Sequence, residues 1–107
     1  CGGDRDKTKR SQIAKVISKY TKIQIITDDN PRYEDPAIIR KTLIKYSSNP
    51  IEIPSRRKAI KFGIDYIKKN DGILIIAGKG HEDIQTYKNK SYLFNDKVIS
   101  SNYAKNL

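Results

Sequence analysis

The chain has one cysteine, one histidine, and no tryptophan or methionine among its 107 residues. A lone cysteine excludes an intrachain disulfide framework and fits a reducing compartment. A lone histidine without cysteine or histidine partners is a poor start for a metal centre, so no metal ligand is assigned. No apolar run approaches the roughly 18 residues of a membrane span, and the first residues lack a signal-peptide pattern. The expectation is a soluble, cytoplasmic protein. The phosphate-loop pattern G-x-x-x-x-G-K-[ST] is also missing, so nothing here is expected to cradle a nucleotide triphosphate. At this length the chain makes one domain at most.

What the chain does have is positive charge, +10 at neutral pH. That raises a nucleic-acid reading. However, the lysines are spread along the chain instead of gathered in a stripe, and the richness in Lys and Ile is what A·T-rich codon usage would yield. A small basic nucleic-acid-binding module therefore stands as the competing class, and a nonfunctional remnant as a third.

The organising stretches are Ile23–Arg32 and Ile73–Glu82. In each, an apolar β-rich run empties within a few residues into Asp, Asn, Arg, Lys, His or Glu. Ligands of open parallel sheets bind beyond the carboxyl ends of the strands.

Taken in order, Cys1–Asp6 opens with a glycine pair suited to a sharp turn. Ile13, Val16, Ile17 and Tyr20 recur at helical spacing and predict an amphipathic helix from about Lys7 to Tyr20, capped by Asp4 or Asp6. A strand at Lys22–Thr27 leads into the loop Asp28–Pro36. A helix at Ala37–Tyr46 follows, then a short strand at Ile51–Pro54 and a Ser55-capped helix to about Lys69. Gly72–Ala77, the most apolar run, reads as a central parallel strand buried on both faces. Ile84–Tyr87 and Ser91–Phe94 read as a hairpin turning near Asn89, and Asn95 or Asp96 caps a last helix to about Lys105. This order predicts an α/β fold, a mostly parallel sheet flanked by helices with a small peripheral hairpin.

If a strand preceded Cys1, the three loops Gly2–Asp6, Asp28–Arg32 and Gly78–Glu82 would all follow the carboxyl ends of strands and share one edge. They carry Arg5, Arg32 and Lys79 against Asp29 and Glu82, with Asn30 as a neutral donor and acceptor. Mixed charge of this kind suits a zwitterion better than a bare phosphate. A guanidinium such as Arg32 can grip a carboxylate through two parallel hydrogen bonds, and Glu82 can accept from an ammonium. Taken one at a time, each loop could equally be only a turn.

Cys-Gly-Gly-Asp-Arg-Asp-Lys-Thr-Lys-Arg (1–10), Asp-Asp-Asn-Pro-Arg (28–32) and Ala-Gly-Lys-Gly-His-Glu-Asp (77–83) closely resemble the carboxyl-terminal domain of the Mur ligases, in family order and over essentially the whole chain. Thr8 and Ser11 stand where family members often carry Gly and Pro. The resemblance implies a Rossmann-like domain, truncated before Cys1 by a strand, that presents the incoming amino acid. It implies a reaction joining UDP-MurNAc-L-Ala-D-Glu to a diamino acid with ATP and Mg²⁺, through an acyl phosphate. The central ATPase and amino-terminal nucleotide-sugar domains would lie outside this chain, which alone would be inactive. The Asp-Asn-Pro-Arg motif is associated with members that use meso-diaminopimelate rather than L-lysine. Carried across, Asn30 and Arg32 would hold the side-chain carboxylate and Arg5 would help hold a carboxylate. Gly78 and Glu82 would bind the distal ammonium, and Asp29 would support the loop. Lys79 and His81 are possible supporting residues, and no catalytic residue is assigned.

Overall fold

The structure is a computed structural model that describes residues 1–3, 7–70, 72–78, 84–88 and 90–105. Its elements run α1 (Thr8–Tyr20), β1 (Gln24–Ile26), α2 (Pro36–Lys45), β2 (Pro50–Glu52), α3 (Arg56–Asn70), β3 (Ile84–Tyr87), β4 (Lys90–Leu93) and α4 (Asp96–Lys105). The α/β class holds. β1 and β2 pair in parallel, Gln24 opposite Pro50, and β3 and β4 form an antiparallel hairpin. Helices cover both faces of the parallel pair. Ile26 clusters with Ala14, Ile39 and Leu43 of α1 and α2, whereas Ile25 faces Gly63 of α3.

Local chemistry explains the helix boundaries. Asp35 accepts from the Ala37 N–H at 2.9 Å, and Pro36 occupies the first turn, where its missing N–H costs nothing. Ser55 Oγ accepts from Lys58 N and Asn95 Oδ1 from Val98 N, so both expected caps are present. Asn95, not Asp96, caps α4. Lys7 precedes α1 without a side-chain cap bond, while Asp4 and Asp6 lie outside the described residues. In the hairpin, Lys88 takes φ +54°, the left-handed conformation that tight two-residue connections demand; its neighbour Asn89 also lies outside the described residues.

Two expectations need correction. Gly72–Ala77 is not a ladder strand buried on both faces. Leu74 and Ile76 are half-buried, but Ile73 is 88% and Ile75 74% exposed. Leu74 packs beside Gly63, so α3 covers one face; among the described residues no strand pairs with this segment. A continuous apolar run carries no signal for which face is covered, and here alternation decides it. Likewise, the Ile13, Val16, Ile17 and Tyr20 stripe of α1 is exposed, and Arg10 and Ala14 point inward instead. Small Ala14 lets α1 approach the core cluster closely, and Arg10 is drawn in by an acidic partner.

Candidate functional site

The loop after β1 is fixed by the hairpin. Gln85 of β3, itself buried, donates through Nε2 to the carbonyls of Asp28 (3.2 Å) and Asp29 (2.9 Å). Thr86 N donates to Asn30 Oδ1 at 2.9 Å, and Arg32 N donates to Thr86 O at 3.0 Å. The Asp28 carboxylate accepts from Arg40 Nη1 (2.6 Å) and from the Tyr87 hydroxyl (2.7 Å). Burial, reinforced by that carboxylate, holds the Tyr87 phenol above its ordinary value, so the hydroxyl stays a donor.

The amino-terminal glycines reach the same place. Gly3 N donates to Asn30 O at 2.6 Å. A Cβ on Gly3 would stand 1.7 Å from Pro31 O, so only glycine permits this approach of two backbones. Arg10 supports the turn from below, donating to Gly2 O and, through both terminal nitrogens, to Glu34 at 3.0 and 2.8 Å.

Arg32 is the centre of the arrangement. Its φ is +55°, a region that a non-glycine residue adopts only when the surroundings impose it. The surroundings do so here, through the backbone bonds to Thr86 and Lys88. The side chain then turns back, and Nη1 donates to Gly3 O (2.9 Å) and Asn30 O (3.3 Å). That pair of bonds orients the guanidinium plane.

Gly78 arrives from the other side, with φ +112° and a position where a Cβ would lie 3.0 Å from Asp29 Oδ2. Asp29 is buried, and its Oδ1 is the buried side-chain oxygen that has no hydrogen-bond partner among the described residues. Beside Arg32 an open hollow of about 540 Å³ is lined by residues that include Tyr33, Pro36, Tyr87 and Lys88.

Of the residues singled out from sequence, the structure thus brings Asp29, Asn30, Arg32 and Gly78 to one edge. Arg5, Lys79, His81 and Glu82 lie outside the described residues. Asn30 is more enclosed than a direct ligand grip would need, with its Oδ1 spent on the hairpin. Sequence reasoning missed the residues that hold the edge: Arg10, Asp28, Arg40, Gln85, Tyr87 and Arg56, whose guanidinium donates to the carbonyls of Asp28 and Ala77. Polar side chains of this kind read as solvated until the fold is known, and only the doubled aspartate Asp28-Asp29 gave any signal.

Among the described residues, no three His, Cys, Asp or Glu side chains gather to hold a metal ion. None of their helices is long and apolar enough to cross a membrane.

Residues 1–80 match the family model described as Mur ligase, glutamate ligase domain. The chain is also similar to proteins named UDP-N-acetylmuramoyl-L-alanyl-D-glutamate–2,6-diaminopimelate ligase. Identity is 48% over 90% of the chain and 20% of the relative from Anaplasma marginale. It is 49% over 96% of the chain and 21% of the relative from Rickettsia typhi. With Clostridium botulinum it is 42% over 100% of the chain and 22% of the relative. The chain spans about a fifth of the length of these curated relatives.

Proposed function

The chain belongs to the Mur ligase family, and from that premise we propose that it is the diamino-acid-binding part of an ATP-dependent peptidoglycan ligase. In this reading the substrates are meso-diaminopimelate and UDP-MurNAc-L-Ala-D-Glu. ATP and Mg²⁺ act in domains outside this chain, and the 107 residues alone perform no ligation.

The observation that carries the reading is the pinned Arg32. Diaminopimelate differs from lysine by one carboxylate at the distal carbon. Telling them apart calls for a guanidinium whose plane is set before the ligand arrives, and the bonds of Nη1 to Gly3 O and Asn30 O set it. The same fork can offer Nε and Nη2 to the carboxylate. Nearby, the carboxylate of buried Asp29 adds negative charge beside Gly78, which supports a zwitterionic ligand. Arg5, Gly78 and Glu82 take their roles from the family resemblance alone.

Lysine in this site would leave Arg32 without its anion. A hydrogen bond to a charged group contributes about 1.5–3 kcal/mol, so diaminopimelate should bind roughly tenfold to a hundredfold more tightly. An amide NMR titration of the chain with each amino acid tests this. Shifts at Asn30, Arg32 and Gly78 with diaminopimelate alone are expected, and Arg32→Ala should abolish them. Equal responses to both amino acids would sink the reading.

A further inference from the structure

We propose that Arg56, the first residue of α3, sets the spacing between the two ligand-facing loops and so acts as a positioning residue for amino-acid selection. The proposal rests on the reading above. Arg56 is only 4% exposed, and its guanidinium is divided between two tasks. One edge forms a paired contact with Asp96 in the first turn of α4, Nε to Oδ1 at 2.7 Å and Nη2 to Oδ2 at 2.6 Å. The other hydrogens reach the carbonyls of Asp28 (from Nη1) and Ala77 (from Nη2), both at 3.1 Å.

Those carbonyls belong to the residues immediately before Asp29 and Gly78. One rigid, planar group therefore fixes where two chain segments leave the body of the fold. At the next residue the segments nearly touch, for a Cβ on Gly78 would stand 3.0 Å from Asp29 Oδ2. Any change in the Asp28–Ala77 separation passes directly to Asn30 and Arg32 on one side and to Gly78 on the other. Asp96 keeps the fork from rotating. A lysine in this position would carry the charge but act as a point, unable to hold two carbonyls and two carboxylate oxygens at set angles.

The test uses the full chain and its amide spectrum. In the ligand-free state, Arg56→Lys and Asp96→Asn should each shift the amides of Asn30 and Gly78 together. Affinity for meso-diaminopimelate should then fall about tenfold, the equivalent of one impaired hydrogen bond to a charged group, while that for L-lysine changes far less. Asp96→Asn retains Arg56 and serves if Arg56→Lys fails to fold. Tyr103→Phe is the control, since it removes the α4-to-α3 bond to Asp65 Oδ1 at 2.9 Å without touching Arg56. Its diaminopimelate affinity should stay at the wild-type value.

Unchanged affinity in both site variants, or an equal fall in the control, would overturn the proposal. A wild-type chain that ignores diaminopimelate would refute the functional reading instead. The ligand-free spectra would then decide the positioning claim, with independent or absent shifts overturning it.

Discussion

At the edge where Gly3, Asn30 and Gly78 meet, charged side chains are buried and paired. On two outer flanks, that of α1 and that of residues 72–77, apolar side chains stand in the open. Of the buried polar residues described, Arg10, Asp28, Asp29, Asn30, Arg56, Gln85 and Asp96 belong to the edge or its supports, and Gln24, bonded to Thr21 and Asn49 at the start of β1, does not. Val16 of α1 is 58% exposed and Ile75 74%. Apolar burial is non-directional and would tolerate small shifts of one element against another. Forked hydrogen bonds to backbone carbonyls do not. The comparison teaches that order at this edge is maintained by geometry-specific polar contacts, with the apolar clusters supplying bulk stability behind it.

The largest effect should come from orphaning one partner of the buried Arg56–Asp96 pair. Asp96→Ala leaves the guanidinium buried with its carboxylate gone, which costs about 3–5 kcal/mol, a large share of a small domain's stability. Urea unfolding would measure it. Replacing both residues together by apolar ones of similar volume should recover much of the loss, because the charge and its desolvation penalty leave together. Recovery of stability without recovery of the proposed diaminopimelate binding would sharpen the contrast between bulk stability and site geometry. If Asp96→Ala cost less than about 1 kcal/mol, the edge would not be held in the way described.

A smaller effect is expected at Tyr87. Its hydroxyl donates to Asp28 Oδ2, and Tyr87→Phe should cost about 1 kcal/mol, since Arg40 still satisfies Oδ1. The pH dependence gives a second handle. Burial first, then the Asp28 carboxylate, raises the folded-state pKa above the usual 10.0. An acid whose folded pKa is raised contributes stability in full below the unfolded value and loses it as pH climbs beyond. The wild type should therefore weaken above about pH 10 more steeply than Tyr87→Phe. Parallel unfolding curves for the two proteins across that range would remove Tyr87 from the clamp.

Much of the fold was legible because local signals agreed with tertiary demands. Asp35-Pro36, Ser55 and Asn95 announce helix starts by their own chemistry, and the hairpin follows from two short β-rich runs around Lys88-Asn89. The convergence of the Gly-Gly turn with Asp28–Arg32 and Gly78 was expected from loops after parallel strands sharing an edge, yet among the described residues only Asp28–Arg32 follows a paired parallel strand, β1. Two kinds of information were not there to be read. Periodicity locates an apolar stripe but does not say what covers it, which is why α1 turns Arg10 and Ala14 inward and Ile13 and Val16 outward. Long-range polar contacts such as Arg56 to Ala77 O, or Gln85 to Asp29 O, also have no spacing rule in sequence.

The smallest expected effect lies on the flank. Ile75 is largely exposed in an extended segment whose opposite face packs on α3, so Ile75→Thr keeps the β-branched shape and removes little buried area. Its cost should stay within about 0.5 kcal/mol. Ile39→Ala, in the cluster with Ala14, Ile26 and Leu43, should cost about 2–5 kcal/mol by contrast. Urea unfolding of the two variants side by side tests whether the flank is surface. Were Ile75→Thr to cost as much as Ile39→Ala, residues 72–77 would be buried on both faces in solution. The apolar run would then be read as a central strand after all, and the line drawn between edge and flank would move.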